Sequence, residues 1–450
     1  MDDIETPLYA VLLAGGVGSR LWPVSRELTP KQLVKFIGGD SLVQATVKRL
    51  LPVMAADNIR IVCGREHRHV IICDLQEIGI AAGGKIICEP CGRNTAPAVL
   101  LAVLKILQRE KEAVVCVFPA DHMIKDAAAF HDRLRSAIVL ADSGHVVTFG
   151  ITPHYPEIGY GYIEGSGAVS EGALKTKRFV EKPDLATARQ YLEAGNFFWN
   201  SGMFAFRASV ILEEFKNYQP ELLHRMMALD LSDEQLEAAA YERLPDISID
   251  YAIMEHTRKG AVLPSDFGWS DIGSWKSLYE FLPKDRDNNV IDGDVVVQET
   301  FNSFIMAQDR LVSANRLDNV VIVQTPDAIF VSDMDTSREV KTIVTRLKEK
   351  GRDEVIRHRT TSYSWGSATV LERRPGSEVT RLNISPDSAC HTVAEQACHL
   401  TVVAGSGYIG ELAVERGSTA TAAGETLQIE NRGSEPLVIV QVTIFRRETG

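Results

Sequence analysis

Apolar residues along the chain gather first into short continuous runs separated by stretches of helical period. Residues 9–14, 59–63 and 114–118 are runs of the length of a buried strand, and residues 41–51 and 95–107 between them carry apolar positions at helical spacing. Strands alternating with helices predict an α/β layer on a mainly parallel sheet. In such sheets the ligand crevice lies beyond the carboxyl ends of the strands. A glycine-rich turn after the first run and Asp121 after the third both fall there. From 159 to 206 the runs are broken by Gly, Pro and Asn, which predicts an inserted substrate-binding lobe. The first domain is expected to span 1–283. Residues 284–361 read as a β-rich connector, with short strands over 290–333, an amphipathic helix over 337–350 and a polar linker over 351–361. Residues 362–450 are nearly all short strands between Gly and Pro turns, which predicts a small all-β barrel or sandwich.

A chain of 450 residues is too long for one ordinary core and suits two or three domains. The formal net charge of −12, with no offsetting run of Lys and Arg, argues against a nucleic-acid surface. It leaves room for a local basic pocket that takes phosphate. The seven cysteines are irregularly spaced, and Cys88-x-x-Cys91 encloses Pro90 and has no second pair. They are read as reduced thiols, not as a metal or redox motif. The acidic N-terminus has no apolar signal core and no apolar run reaches bilayer length, so a soluble, cytoplasmic protein without membrane contact is expected.

The most informative segment is 12–35, LLAGGVGSRLWPVSRELTPKQLVK. Glycines directly after a strand let backbone N–H groups approach phosphate oxygens, and Gly15, Gly16 and Gly18 fit that role. Arg20 and Lys31 add positive charge to the same pocket. The segment lacks the G-x-x-x-x-G-K-[ST] of P-loop enzymes, and Leu21 stands where a dinucleotide fingerprint needs its third glycine. Asp121 at a strand end and Asp271 can hold a hard cation through oxygen, the ligand set that magnesium takes beside phosphate. Lys182 can neutralise an incoming sugar phosphate. Gly161 lies in the substrate region, and Glu181 and Asn200 suit sugar hydroxyls. Asn94 and Thr95 can read a base edge or ribose, although a Thr before Ala-Pro also suits a helix cap.

Gly-Gly-x-Gly-x-Arg-Leu-x-Pro followed by Pro-Lys-Gln resembles the signature of sugar nucleotidyltransferases. Further segments resemble the mannose-1-phosphate guanylyltransferases. These are Glu89-Pro90-x-Gly92-Arg93-Asn94-Thr95-Ala96-Pro97, Pro119-Ala120-Asp121-His122, Gly159-Tyr160-Gly161-Tyr162-Ile163, Phe179-Val180-Glu181-Lys182-Pro183, Trp199-Asn200-Ser201-Gly202-Met203 and Gly268-Trp269-Ser270-Asp271-Ile272-Gly273-Ser274-Trp275. They cover most of residues 8–282 in the family's order. The resemblance implies a GT-A-like, Rossmann-like fold, and GTP with α-mannose 1-phosphate as substrates. The expected catalytic residues are Arg20, Lys31, Asp121 and Lys182, with Mg²⁺ (Mn²⁺ as the alternative) on Asp121 and Asp271. A homo-oligomer, a dimer, is also expected, although the sequence does not itself give the oligomeric state. The sugar phosphate is already ionised, so His122 is expected to be structural. Other readings are the same chemistry on another sugar and base, or a nucleotide-sugar-binding regulator without catalysis.

The C-terminal region resembles the cupin-type isomerase domain of bifunctional relatives. Trp365-Gly366-Ser367, Arg381-Leu382-Asn383-Ile384-Ser385-Pro386 and Leu400-Thr401-Val402-Val403-Ala404-Gly405 match its strands. Its metal ligands are not matched. Cys398 stands where the family has glutamate, Leu427 stands where it has a histidine, and His391, Glu395 and His399 have a spacing unlike the family's. A barrel without isomerase activity is expected, with a bifunctional enzyme as the alternative.

Overall fold

Strand β1 (Leu8–Leu13) is an apolar run buried along most of its length, as a central strand of a covered sheet demands. Its side chains alternate between two cores. Ala10 and Leu12 enter one, and Tyr9 and Val11 enter the other. β2 (Ile59–Gly64), β3 (Ile86–Glu89) and β4 (Val114–Pro119) pair in parallel in the order β3-β2-β1-β4. This computed structural model describes residues 5–445 apart from 17, 37, 171, 233–235 and 395–396.

Further along the chain come β5 (Met123–Ile124), β6 (Val146–Ile151), β7 (Tyr162–Ser170), β8 (Ala173–Val180), β9 (Phe197–Arg207), β10 (Gly260–Ser265) and β11 (Trp269–Ser270). The large sheet continues β9-β6-β10-β8-β7, with β9 antiparallel to β4 and β6. The sheet is therefore mixed. Parallel pairing holds for β3-β2-β1-β4 and for β6-β10, and the other pairs are antiparallel. The inserted lobe expected over 159–206 is corrected here, because its strands belong to the main sheet. β9 runs through Asn200, Ser201 and Gly202 in the middle of the main sheet, and β7 and β8 form its edge. A left-handed Gly202 and a register shift beside Gly150 let β9 continue through residues that look like strand breakers.

Helix Leu42–Leu50 opens on a reciprocal cap between Ser41 and Gln44. Helix Thr95–Leu107 is buried nearly all round, which explains why it shows little polar face.

The chain divides into two units. The first is Met1–Leu21 with Pro30–Lys284, and the second is Trp22–Thr29 with Asp285–Gly450. The continuous first domain expected from sequence is thus interrupted, because eight residues of the glycine-rich signature belong to the second unit. In that unit β12 (Val290–Gln298), β13 (Phe304–Asn315) and β14 (Val320–Thr325) pair in parallel, and β15 (Ala328–Asp333) closes antiparallel on β14. A helix over Val340–Glu349 follows.

The remaining strands are β16 (Thr360–Tyr363), β17 (Gly366–Arg374), β18 (Ser377–Ile384), β19 (Ser388–Ala394), β20 (Cys398–Ala404), β21 (Ser406–Ile409), β22 (Leu412–Glu415), β23 (Thr419–Ala422), β24 (Glu425–Asn431) and β25 (Leu437–Ile444). They make two antiparallel sheets, β16-β17-β18-β25-β20-β23 and β19-β24-β21-β22, around one apolar core.

Candidate active site

After β1 the backbone turns through Gly15 and Gly16. Gln32 Nε2 donates to the Ala14 carbonyl at 2.6 Å and to the Gly16 carbonyl at 3.0 Å, so the turn is tied to the Pro30-Lys31-Gln32 segment. Gly18 has φ +57°, and a Cβ there would lie 2.6 Å from Lys31 Cβ. Only glycine allows both the left-handed backbone and the approach of Lys31. Arg20 is exposed within the short turn Ser19–Leu21.

Asp121 follows the carboxyl end of β4, and Asp271 follows β11. The two-stranded pairing of β5 with β11 sets these chain segments side by side. Lys31, its side chain only 7% exposed, reaches both. Its Nζ donates to Asp121 Oδ2 at 2.9 Å and to the Asp271 carbonyl. Burial raises the Asp121 carboxyl, but the charge of Lys31 and the hydrogen bond from its ammonium outweigh it and hold the group below the usual carboxylate range. Asp271 Oδ1 accepts from Tyr160 Oη at 2.8 Å and from the Gly273 amide at 3.0 Å. His122 Nδ1 accepts from Trp269 Nε1 at 3.2 Å, and burial lowers the ring's pKa. A neutral histidine fixed by an indole fits a packing role.

A second group gathers around β7, β8 and β9. A Cβ on Gly161 would stand 2.6 Å from Glu181 Oε2 and 3.4 Å from Asn200 Cβ, so the three residues are neighbours. Glu181 Oε2 is buried and has no hydrogen-bond partner among the described residues. Asn200 Nδ2 donates to Asp250 Oδ1 at 2.8 Å, and Asn200 Oδ1 accepts from the Gly202 amide at 2.9 Å. Lys182 has φ +46°, and its side chain is 62% exposed, with Nζ 3.3 Å from Glu181 Oε1. Burial, with the nearby Glu181 charge, pushes the Asp250 carboxyl up to about 6.

A cleft of about 330 Å³ in the first unit is lined by Gly15, Gly16, Gln32, Glu89, Asn94, Thr95, Asp121 and Asp250; Arg20, Lys31, Gly161, Glu181, Lys182, Asn200 and Asp271 are not in its lining. Asn94, with φ +64°, caps helix Thr95–Leu107 by accepting from the Thr95 amide at 3.0 Å. Thr95 Oγ1 accepts from the Ile249 amide at 2.9 Å. The cap is therefore Asn94, and Thr95 ties the helix start to the segment that carries Asp250. Glu89 Oε1 accepts from Tyr241 Oη at 2.7 Å, and burial pushes the carboxyl up to about 7.

Sequence reasoning gave no role to Glu89, Asp250, Tyr160 or Gln32. Glu89 heads the Glu-Pro-x-Gly segment and Gln32 ends Pro-Lys-Gln, so a signal existed for both. Asp250 lies in a π-helical turn (Asp250–Met254) with no local pattern to single it out.

In the C-terminal barrel, His391 on β19 and His399 on β20 are exposed, while Cys390 and Cys398, one residue earlier in each strand, are in the core. Leu427 packs against that core. Glu395 lies outside the described residues. Among the described residues no three His, Cys, Asp or Glu side chains gather as metal ligands. No helix among them is long and apolar enough to cross a membrane.

Residues 9–288 match the nucleotidyl transferase family, and residues 293–347 match the MannoseP isomerase/GMP-like beta-helix domain. The chain is 39% identical to the mannose-1-phosphate guanylyltransferase of Escherichia coli over 97% of its own length and 95% of that protein's. It is 39% identical to the xanthan biosynthesis protein XanB of Xanthomonas campestris pv. campestris, over 96% of its length and 94% of that protein's. Among solved structures it resembles the mannose-1-phosphate geranyltransferase of Thermus thermophilus. The TM-score is 0.69 and the identity 33%, covering 76% of this chain and 100% of that one.

Proposed function

The chain belongs to the mannose-1-phosphate guanylyltransferase family, and we propose that its site transfers GMP from GTP to α-D-mannose 1-phosphate. A phosphate oxygen of the sugar phosphate attacks the α-phosphorus in line. The bond to the β-phosphate oxygen breaks, pyrophosphate leaves, and GDP-mannose remains.

The observation that carries this reading is the convergence of Lys31 on Asp121 and Asp271 beside the glycine turn. Charge and positioning suffice for such a transfer, and no covalent enzyme intermediate is needed. The amides of Gly15, Gly16 and Gly18 face the phosphates, and Arg20 and Lys31 stabilise the charge that develops on the departing pyrophosphate. Lys182, exposed and only loosely held by Glu181, meets the phosphate of the sugar. The orphaned Oε2 of Glu181 accepts from a sugar hydroxyl, with Asn200 beside it.

The donor set fits a divalent cation. Asp121 and Asp271 are hard oxygen ligands, each with an oxygen not taken by the contacts described, and magnesium needs only one or two carboxylates beside phosphate and water. When bound by Asp121 and Asp271, Mg²⁺ or Mn²⁺ would supply neutralisation of the triphosphate charge.

For the base, Glu89 supports guanine. Tyr241 fixes one carboxylate oxygen, and a carboxylate can accept from the adjacent N1–H and N2–H₂ donors of guanine. Asn94 and Thr95 line the same cleft and serve base or ribose.

In the barrel, outward histidines and a core-facing Cys398 and Leu427 support a domain without isomerase activity.

Pyrophosphate release from GTP and mannose 1-phosphate tests the assignment. Lys31→Ala and Arg20→Ala are each expected to lower kcat by roughly a hundredfold or more with the fold retained. Asp121→Asn and Asp271→Asn should raise the Mg²⁺ concentration needed for half-maximal rate. Full activity in EDTA, or normal turnover in both cation variants, contradicts the pocket.

A further inference from the structure

The segment between the two cations of the phosphate pocket, Arg20 and Lys31, is built into the second unit. Arg26 is its anchor. The Arg26 side chain is fully buried and forks onto Asp327, which is 8% exposed, with Nη2 to Oδ1 at 2.7 Å and Nη1 to Oδ2 at 3.0 Å. Its remaining donors are also used. Nε donates to the Pro23 carbonyl at 2.8 Å, and Nη1 donates to the Arg357 carbonyl at 2.9 Å. The backbone of the segment is held as well. The Glu27 amide donates to the Val355 carbonyl at 3.1 Å, and the Leu28 amide to the Ile356 carbonyl at 2.9 Å. Trp22 Nε1 donates to the Glu354 carbonyl at 2.9 Å, and His358 Nε2 lies 2.9 Å from the Val24 carbonyl. The tip is closed by Arg26 and Thr29, whose amides each donate to the other's carbonyl.

We propose that Arg26, clamped by Asp327, is a positioning residue for the transfer. Through the strap Trp22–Thr29, residues 325–358 set the geometry of Arg20 and Lys31 by covalent linkage. This rests on the assignment of Arg20 and Lys31 to the phosphate pocket. The physical reason is covalent reach. Leu21 and Pro30 flank the strap, so Arg20 lies just before its first flank and Lys31 just after its last. A bidentate buried pair with its neighbouring hydrogen bonds in place has one geometry, whereas an unanchored excursion of the same length has many. Phosphoryl-transfer rates respond steeply to such loss of position, and a misplacement of about 1 Å can cost about a hundredfold.

Residues 325–358 of the second unit then have a function of their own, beside any chemistry of the barrel that follows. All the clamping residues precede residue 361, so a barrel that lost its own chemistry would still be attached to a region the transferase needs.

The test uses the full chain with two variants. Asp327→Asn keeps shape and removes the charge, and Arg26→Met with Asp327→Leu replaces the buried pair by apolar groups, a change that often preserves stability. Two readouts are taken. One is kcat and KM for pyrophosphate release from GTP and mannose 1-phosphate. The other is amide hydrogen exchange over residues 15–21 and 30–35 compared with Thr95–Leu107 and Ala127–Asp142. The expected result is a fall in kcat of about ten- to a hundredfold with a smaller change in KM. Exchange should quicken in the signature segments and stay unchanged in the two helices. Unchanged kcat and exchange in a folded variant overturns the proposal. Equal acceleration everywhere, or failure of both variants to fold, makes the pair merely structural and also overturns it. If the wild-type chain releases no pyrophosphate from this substrate pair, the functional reading fails, and the exchange comparison alone still decides whether the strap holds the signature.

Discussion

Glu89 is a buried carboxyl whose effect on stability depends on pH. Burial is the main cause that lifts its carboxyl from 4.5 to about 7, and the Glu66 charge adds to it, while the hydrogen bond from Tyr241 works the other way. Its folded pKa lies above the unfolded value, so the native state holds an extra proton between about 4.5 and 7. The ionised carboxylate therefore lowers stability above pH 7, by at most about 3 kcal/mol, and this loss disappears as pH falls toward 4.5. Glu89→Gln should raise the unfolding midpoint at pH 8 and make little difference at pH 5. The same variant should narrow the preference for GTP over ATP, because an amide presents only one acceptor to guanine. A midpoint that does not move at pH 8, read by calorimetry, contradicts the burial argument. An unchanged GTP to ATP ratio contradicts the base reading.

At the level of elements, the turn around Gly18 is the most exacting. Gly18→Ala meets both a positive φ and a contact of 2.6 Å with Lys31 Cβ. It should cost about 1–2 kcal/mol locally and displace Lys31, lowering kcat at least tenfold. Wild-type turnover in that variant would show that Lys31 is not held by the turn. This element was legible in sequence, because continuous apolar strands followed by glycine carry their own signal. Helix Thr95–Leu107 was legible to the residue, although its cap is Asn94. β9 was not. Its Asn200-Ser201-Gly202 looks like a break, and only long-range pairing with β4 and β6 keeps it extended. Asp250 was hidden for the same reason, since its partner Asn200 is 50 residues away. The strap Trp22–Thr29 was also hidden, because nothing local to it names residues 325–358 as its partners.

For the whole molecule, the described residues of the first unit bring candidate site residues together, whereas those of the barrel do not. The transferase side gathers Lys31, Asp121 and Asp271, and separately Gly161, Glu181 and Asn200. The barrel keeps strands, turns and an apolar core while its two described histidines face outward. Coupled assays of fructose 6-phosphate and mannose 6-phosphate interconversion, with Zn²⁺, Co²⁺, Mn²⁺ or Mg²⁺ added, should show no rate above background. A metal-dependent rate lost in His391→Ala or His399→Ala would restore a bifunctional enzyme. The central claim is tested most directly by crossing a panel of nucleoside triphosphates with a panel of sugar 1-phosphates and measuring pyrophosphate release by the intact chain. GTP with mannose 1-phosphate should give the highest kcat/KM. A higher value for another pair, such as UTP or dTTP with glucose 1-phosphate, or no release from any pair, would contradict the account.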